Sequence, residues 1–444
     1  MRSLSIDKIS EFEKNFLKDK NNIVAMNAAT FNGIYKVTTD VNALKDEPFN
    51  FNVDIKNGTV TDQKQSGRCW LFASLNILRN VVMKKYNLEN FELSQSYMMF
   101  VDKLEKSNYY LEAVIEKAHE PIDDRTMQYL MENMLSDGGQ WDMFVNLVKK
   151  YGVVPKYAYP ETKTSSATYQ LNKYLSKVLA KYTVLLRKAI EDGKLKDDVM
   201  AIKEEALDGI YRVLTATLGE LPEKFDLVLH DKDDKLIEEK DLTPHTFFDK
   251  YIGVEIDDFI SIINAPTKDK PYGKTYTIKY LGNVIEGKPV KHLNLPVEEL
   301  KKACVKQLQD GYPVWFGCDV GKDMVKTEDA ALLDTKASRA DLLFNVDLEM
   351  SKEDSLDYGY SCMTHAMTFT GVNIKDGKPT RFKIENSWGE KFGYKGHFVM
   401  SSDWFDKYVY QIVINKKYLD EKFVKEYEQE AIVLEPWDPM GSLA

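Results

Sequence analysis

The sequence predicts an α+β fold on three observations. A helix opens at Cys69, where Leu71, Leu75, Leu78 and Val82 recur at three- and four-residue spacing. Two strands lie towards the other end: Ser361–Val372 alternates with His365 on one face, and Arg381–Gly389 ends in a polar amide beside a tryptophan. Between them, from Glu161 to about Thr243, run two broad helical stripes, Leu171 to Ile190 through Leu175, Leu179, Tyr182 and Leu186, and Val199 to Leu214 through Ile202, Leu207 and Ile210.

The first helix is approached through Gln63-Lys64-Gln65-Ser66-Gly67-Arg68-Cys69-Trp70. Ser66 or Gly67 is expected to cap it, which sets Cys69 in the first turn, where unpaired N–H groups and the helix dipole favour a thiolate. A free thiol, with a pKa of about 8.5, is mostly protonated at neutral pH and needs such help to attack a carbonyl. Gln63, six residues upstream, can offer a donor to the oxyanion that forms. A cysteine by itself is ordinarily a small apolar filler. Cys304, on the helix Val297–Leu308, and Cys318, in the buried-strand pattern Tyr312–Cys318, fit that description, while Cys362, close before His365, fits either. No two cysteines stand at metal-ligand spacing, so neither a metal site nor a disulfide framework is expected, and the chain reads as one of a reducing compartment.

If the two C-terminal strands pair, the amide oxygen of Asn386 accepts from one ring nitrogen of His365 and leaves the other facing Cys69. That is a nucleophile, a base and a group that orients the base. Trp388 would cover the Asn–His bond and keep water from it. The histidines His119, His230, His245 and His292 stand in charged or turn-like surroundings and read as solvated; His397, which follows the asparagine instead of preceding it, is the one rival base. Gly138-Gly139 alone reads as a turn. Asp231-Lys232-Asp233-Asp234-Lys235 lacks the glycine and spaced glutamate of a calcium loop and reads as a solvated turn. Gly377-Lys378-Pro379-Thr380 lacks the glycine frame of a phosphate loop.

At 444 residues, 43% hydrophobic and 29% charged, the chain has an ordinary globular balance and room for a core plus a substantial extra domain. Its net charge of −10 disfavours binding to nucleic-acid phosphates, without excluding a local basic lining. The N-terminus has no apolar signal region and no segment approaches membrane-spanning length, so a cytoplasmic location with no membrane contact is expected; the Asn57-Gly58-Thr59 sequon then carries no meaning.

Taken together and in order, several blocks resemble papain-like cysteine peptidases, and within them the bleomycin hydrolase and bacterial aminopeptidase C family. They are the Gln63-to-Trp70 block, Leu93-Ser94-Gln95-Ser96-Tyr97, Asp137-Gly138-Gly139-Gln140-Trp141-Asp142 and Tyr151-Gly152-Val153-Val154-Pro155. Thr364-His365-Ala366-Met367, Glu385-Asn386-Ser387-Trp388-Gly389 and the terminal Pro436-to-Ala444 stretch complete the set. Ser66 stands where the papain branch has a second cysteine, which moves the chain within the superfamily and leaves the chemistry intact.

The resemblance implies a papain-like fold, a helical domain facing an antiparallel β domain across a cleft, with a helical insertion and a C-terminal arm in that cleft. The expected division is an N-terminal segment on the core (1–60), the helical domain (61–160), the insertion (161–260), the β domain (261–425) and the arm (426–444). It implies Cys69 as nucleophile, His365 as base and then acid, Asn386 as orienter and Gln63 as oxyanion donor, with Gly138 and Gly139 letting an extended peptide approach. The arm resembles a built-in product whose Ala444 carboxylate would pair with a substrate's α-ammonium, so that one residue is removed at a time. It implies further a homohexamer, to which the insertion contributes contacts, no papain-type pro-segment and no cofactor. The alternatives are an oligopeptidase of the same fold with an open cleft and, in another class, a nucleic-acid-binding scaffold.

Overall fold

A computed structural model describes residues 1–46, 48–327 and 330–443. The N-terminal half of the expected core-packing segment departs from expectation. Helices Ile6–Lys18 and Lys20–Asn32, capped by the side chains of Ser5 and Asp19, bury no residue at all. Their apolar side chains, Ile6, Ile9, Phe12 and Phe16 among them, are exposed. Burial begins with Thr38 and Ala43 and continues through Ile55, Asn57 and Val60.

The helix Cys69–Lys85 is buried on nearly every face and runs against the strand His365–Lys375. Next comes the helix Gln95–Glu116, whose start is fixed by Ser94 Oγ accepting from the Tyr97 N–H at 3.0 Å. Trp141–Tyr151 follows, and Gly152 ends it at φ 68°, where an added Cβ would meet the Pro244 carbonyl carbon at 2.5 Å. The two predicted stripes become the paired helices Tyr169–Glu191 and Lys196–Leu218. The segment read as helical also holds a hairpin, Phe225–His230 with Leu236–Leu242. Its turn is the acidic run 231–235, where Asp231 Oδ1 accepts from the N–H groups of Asp233 and Lys235, each at 2.9 Å. Short alternating strands such as these carry a weak signal beside two long helices.

The large sheet is antiparallel through its middle, where Phe259–Ile263, Val409–Asn415, Val314–Cys318, His365–Lys375, Lys378–Glu385 and His397–Ser401 follow one another. At its flanks three pairings are parallel, so the sheet is mixed and not purely antiparallel as expected. Leu300, Cys304, Phe316, Phe369, Phe382 and Trp404 belong to the core beneath it, and a second core joins Trp70, Phe100, Phe144, Leu179 and Ile210 on the helical side. Cys304 and Cys318 are the buried fillers that the sequence implied.

Antiparallel pairing is what positions the site. Thr368 stands opposite Glu385, and the same register carried outward brings His365 level with Trp388. The start of one strand thus meets the end of the next, with both residues at the edge where the Cys69 helix begins.

Candidate active site

Cys69 is the first residue of its helix. The cap position belongs to Arg68, which makes no side-chain cap; Ser66 instead donates its hydroxyl to Gln63 O at 2.6 Å and accepts from Arg68 Nε at 2.9 Å. Arg68 is fully buried and forked onto Glu161, with Nη1–Oε1 at 3.0 Å and Nη2–Oε2 at 2.9 Å. A bidentate pair of this kind fixes direction as well as distance, so the turn before Cys69 is held by Glu161, more than ninety residues away in sequence.

Backbone groups of Ala366, Trp70 and Cys69 around the Cys69 sulfur favour the thiolate. Burial outweighs them and pushes the thiol up to about 11. His365, the neighbour of Ala366, is likewise held down to about 4 by burial, against the bond to Asn386 that favours its charged form. Burial therefore works against charge on both groups, and the helix start does not by itself secure a thiolate as expected.

The hairpin forms as the strand patterns imply. His365 Nε2 lies 2.8 Å from Asn386 Oδ1, and the Ser387 N–H donates to the same oxygen at 2.7 Å. Because a backbone N–H can only donate, it settles which end of the amide is oxygen. His365 Nε2 is then the donor, which leaves Nδ1 for the thiol side. The half-buried Trp388 ring lies 5.0 Å from the imidazole centroid at 37° and covers this bond.

Gln63 is buried and held at both ends. Its Nε2 donates to Ser66 O at 2.6 Å, its Oε1 accepts from Ser387 Oγ at 2.6 Å, and its backbone N–H donates to Ser387 O at 2.8 Å. An amide nitrogen carries two hydrogens, so one remains for another acceptor.

Gly138 and Gly139 form a wall of bare backbone beside Trp70. Gly138 O accepts from Lys106 Nζ at 2.6 Å, and a Cβ on Gly139 would come within 2.5 Å of the Trp70 ring. Asp137 before them ties this wall to the cysteine turn: its carboxylate accepts from the Gly67 N–H at 3.0 Å, Lys103 Nζ at 2.6 Å, Thr168 Oγ1 at 2.5 Å and Asn172 Nδ2 at 2.9 Å. Burial alone would raise the Asp137 carboxyl; Lys103 and these bonds hold it well below the usual range. Sequence reading missed this hub, and also the Glu385 cluster, in which the carboxylate accepts from Arg79, Asn57 and Asn76. Arg79, the one charged side chain among the buried residues of the Cys69 helix, was the available signal. Asn57 is thereby engaged inside the molecule.

Near the C-terminus, Ser442 O accepts from Gln140 Nε2 at 2.8 Å and Ser442 Oγ donates to Met363 O. Trp437 lies 3.7 Å beneath the Arg125 guanidinium, and Asp438 pairs with Lys270 at 2.9 Å. Ala444 lies outside the described residues. Of the remaining histidines, His119, His230 and His245 are exposed as expected and His397 is half-buried at the strand edge. His292 is a correction: it is buried in a strand with Nδ1 2.7 Å from Ser261 Oγ. Its polar flanks conceal a parallel pairing with Phe259–Ile263 that local sequence does not announce. Among the described residues no cluster could hold a metal ion, and no helix is long and apolar enough to cross a membrane.

The profile of the Peptidase C1-like family matches residues 3–441. The chain belongs to that family. Within it, aminopeptidase C of Lactobacillus delbrueckii subsp. lactis is 47% identical over 446 residues, covering 100% of this chain and 99% of that one. Bleomycin hydrolase of Gallus gallus is 39% identical over 451 residues, covering 99% of both. The crystal structure of PepW from Lactobacillus rhamnosis HN001 superposes with a TM-score of 0.97 at 44% identity, covering 100% of this chain and 99% of that one. The resemblance to the bleomycin hydrolase and aminopeptidase C branch therefore holds over the whole length, and with it the papain-like α+β fold of this Peptidase C1-like chain.

Proposed function

We propose that this protein is a cysteine aminopeptidase that removes N-terminal residues from peptides through an acyl-enzyme. The observation that carries the reading is the 2.8 Å His365–Asn386 bond at the start of the strand that packs against the Cys69 helix. In this reading the Cys69 proton passes to His365 Nδ1 as sulfur bonds to the substrate carbonyl carbon. Two neutral groups thereby become an ion pair only when each can stabilise the other. The imidazolium then protonates the leaving amine, and the same imidazole takes a proton from the water that hydrolyses the thioester. Gln63 Nε2 and the Cys69 N–H hold the oxyanion, an interaction whose loss costs roughly 10²- to 10³-fold.

Restriction to free N-termini is assigned to the C-terminal arm. Supporting it are the Ser442 contacts with Gln140, beside Gly139, and with Met363, two residues before His365. An open-cleft oligopeptidase is the competing reading. Self-association, as a hexamer, has support in the uncovered apolar face of the first two helices, and a reducing, cytoplasmic setting in four cysteines that are all free. The deciding experiment compares an aminoacyl-coumarin with its N-acetylated form on purified protein and on Cys69→Ala. Cleavage of the free form alone, abolished in the folded variant, is expected; full activity of Cys69→Ala would overturn the assignment.

A further inference from the structure

The Trp388 ring that lies over His365 also carries a cation. Lys326 Nζ stands 4.7 Å from its centroid and 4.5 Å from that of Phe392, and Lys391 Nζ stands 5.4 Å from the same Phe392 ring. Since the Trp388 and His365 centroids are 5.0 Å apart, the Lys326 ammonium lies within about 10 Å of the imidazole, the length of about three extended residues. Asp62, whose backbone bridges Trp388, is engaged by Lys64 at 2.5 Å. Burial lowers the Lys326 ammonium from its ordinary value, as expected for a cation partly withdrawn from water and resting on ring faces.

This cation and the C-terminal arm flank the strand His365–Lys375 on opposite sides. Met363, which accepts from Ser442, packs against Gly317 of the neighbouring strand on one side, whereas Trp388 extends the strand Lys378–Glu385 on the other. With the acyl part of a substrate held beside the arm, the leaving fragment runs along Trp388.

We propose that Lys326 receives the α-carboxylate of the leaving fragment, so that dipeptides and tripeptides with a free C-terminus are the substrates this site favours. The proposal rests on the aminopeptidase reading and adds its substrate class. In a dipeptide the carboxylate sits one residue from the scissile nitrogen and in a tripeptide two, both inside the reach of a four-carbon lysine; in longer peptides the terminal charge has passed beyond it.

The test compares kcat/KM for leucyl-alanine with that for leucyl-alanine amide in the native protein, Lys326→Met and Lys326→Arg. Each value is normalised to leucyl-coumarin in the same protein, whose leaving group has no carboxylate, so that a general loss in a variant cancels. The free acid should lead the amide by roughly fivefold in the native protein, the size of one half-exposed ion pair. The lead should shrink with added salt, persist in Lys326→Arg and vanish in Lys326→Met. An acid-to-amide ratio equal in the native protein and Lys326→Met overturns the role of Lys326 and leaves the aminopeptidase reading standing. Leucyl-coumarin cleavage that survives in Cys69→Ala overturns both.

Discussion

Arg79 and Glu385 form an ion pair in which each side chain is 1% exposed, and it joins the Cys69 helix to the residue just before Asn386. Arg79 also donates to Thr59 O at 3.0 Å and Asn57 O at 2.8 Å, so the helix, the strand end and the segment leading to Gln63 meet at one charge pair. Breaking a buried pair from one side leaves an uncompensated charge and costs about 3–5 kcal/mol. Glu385→Gln should therefore lower stability by that order and reduce kcat more than it changes KM, because Asn386 loses its anchor relative to Cys69. A denaturation midpoint equal to that of the native protein would refute it.

Acid should destabilise the fold through buried histidines. His292 is held down to about 4 by burial, against 6.5 for the ordinary side chain. The unfolded chain then takes up a proton between pH 6.5 and 4 that the folded chain refuses, so stability is full above the upper value and is lost as pH falls towards the lower one. His292→Phe removes that proton uptake. Melting temperatures of the variant, measured from pH 7 to pH 4, should fall less steeply than those of the native protein. All other titrating groups are common to both, so parallel curves would contradict the account.

Gly139 is constrained by its neighbour. A Cβ there would stand 2.5 Å from the Trp70 ring, beside Cys69. Overpacking of this kind costs about 1–3 kcal/mol, and relief requires Trp70 to move, carrying the first turn of the Cys69 helix with it. Gly139→Ala should lose stability by this amount and activity by more than the unfolded fraction explains. A variant that melts like the native protein would show that the wall yields freely.

What could be read from sequence was whatever is local or rigidly periodic. The Cys69 helix, the pairing of His365 with Asn386 and the filler role of Cys304 follow from spacing within one or two elements. The cap at Arg68 was not legible, because its partner Glu161 lies in another part of the chain and overrides the local preference of Ser66. Neither was His292, whose burial comes from a strand partner some thirty residues away, nor Asp137, whose four partners come from three separate segments. The placement of the first two helices came with the resemblance and not from a pattern read in these residues, and their exposed apolar side chains state that something can cover them, not that the same chain does.

The C-terminal arm offers the sharpest test of specificity. Ser442 is pinned between Gln140 and Met363. Two further residues at about 3.3–3.6 Å each set how far beyond Ser442 the chain can carry its carboxylate. A carboxylate and an ammonium about 4 Å apart at an effective dielectric near 20 interact by roughly 4 kcal/mol, and desolvation removes part of that; half of it still exceeds a tenfold preference. Deleting Leu443-Ala444 should therefore lower the preference for free over N-acetylated peptides by at least about tenfold and open the groove to internal bonds. Extending the chain beyond Ala444 should act in the same direction, since it removes the charge from its place while keeping the Ser442 contacts. If both proteins retain the native ratio of free to blocked substrate cleavage, the arm is a docked end and the selectivity comes from elsewhere in the groove.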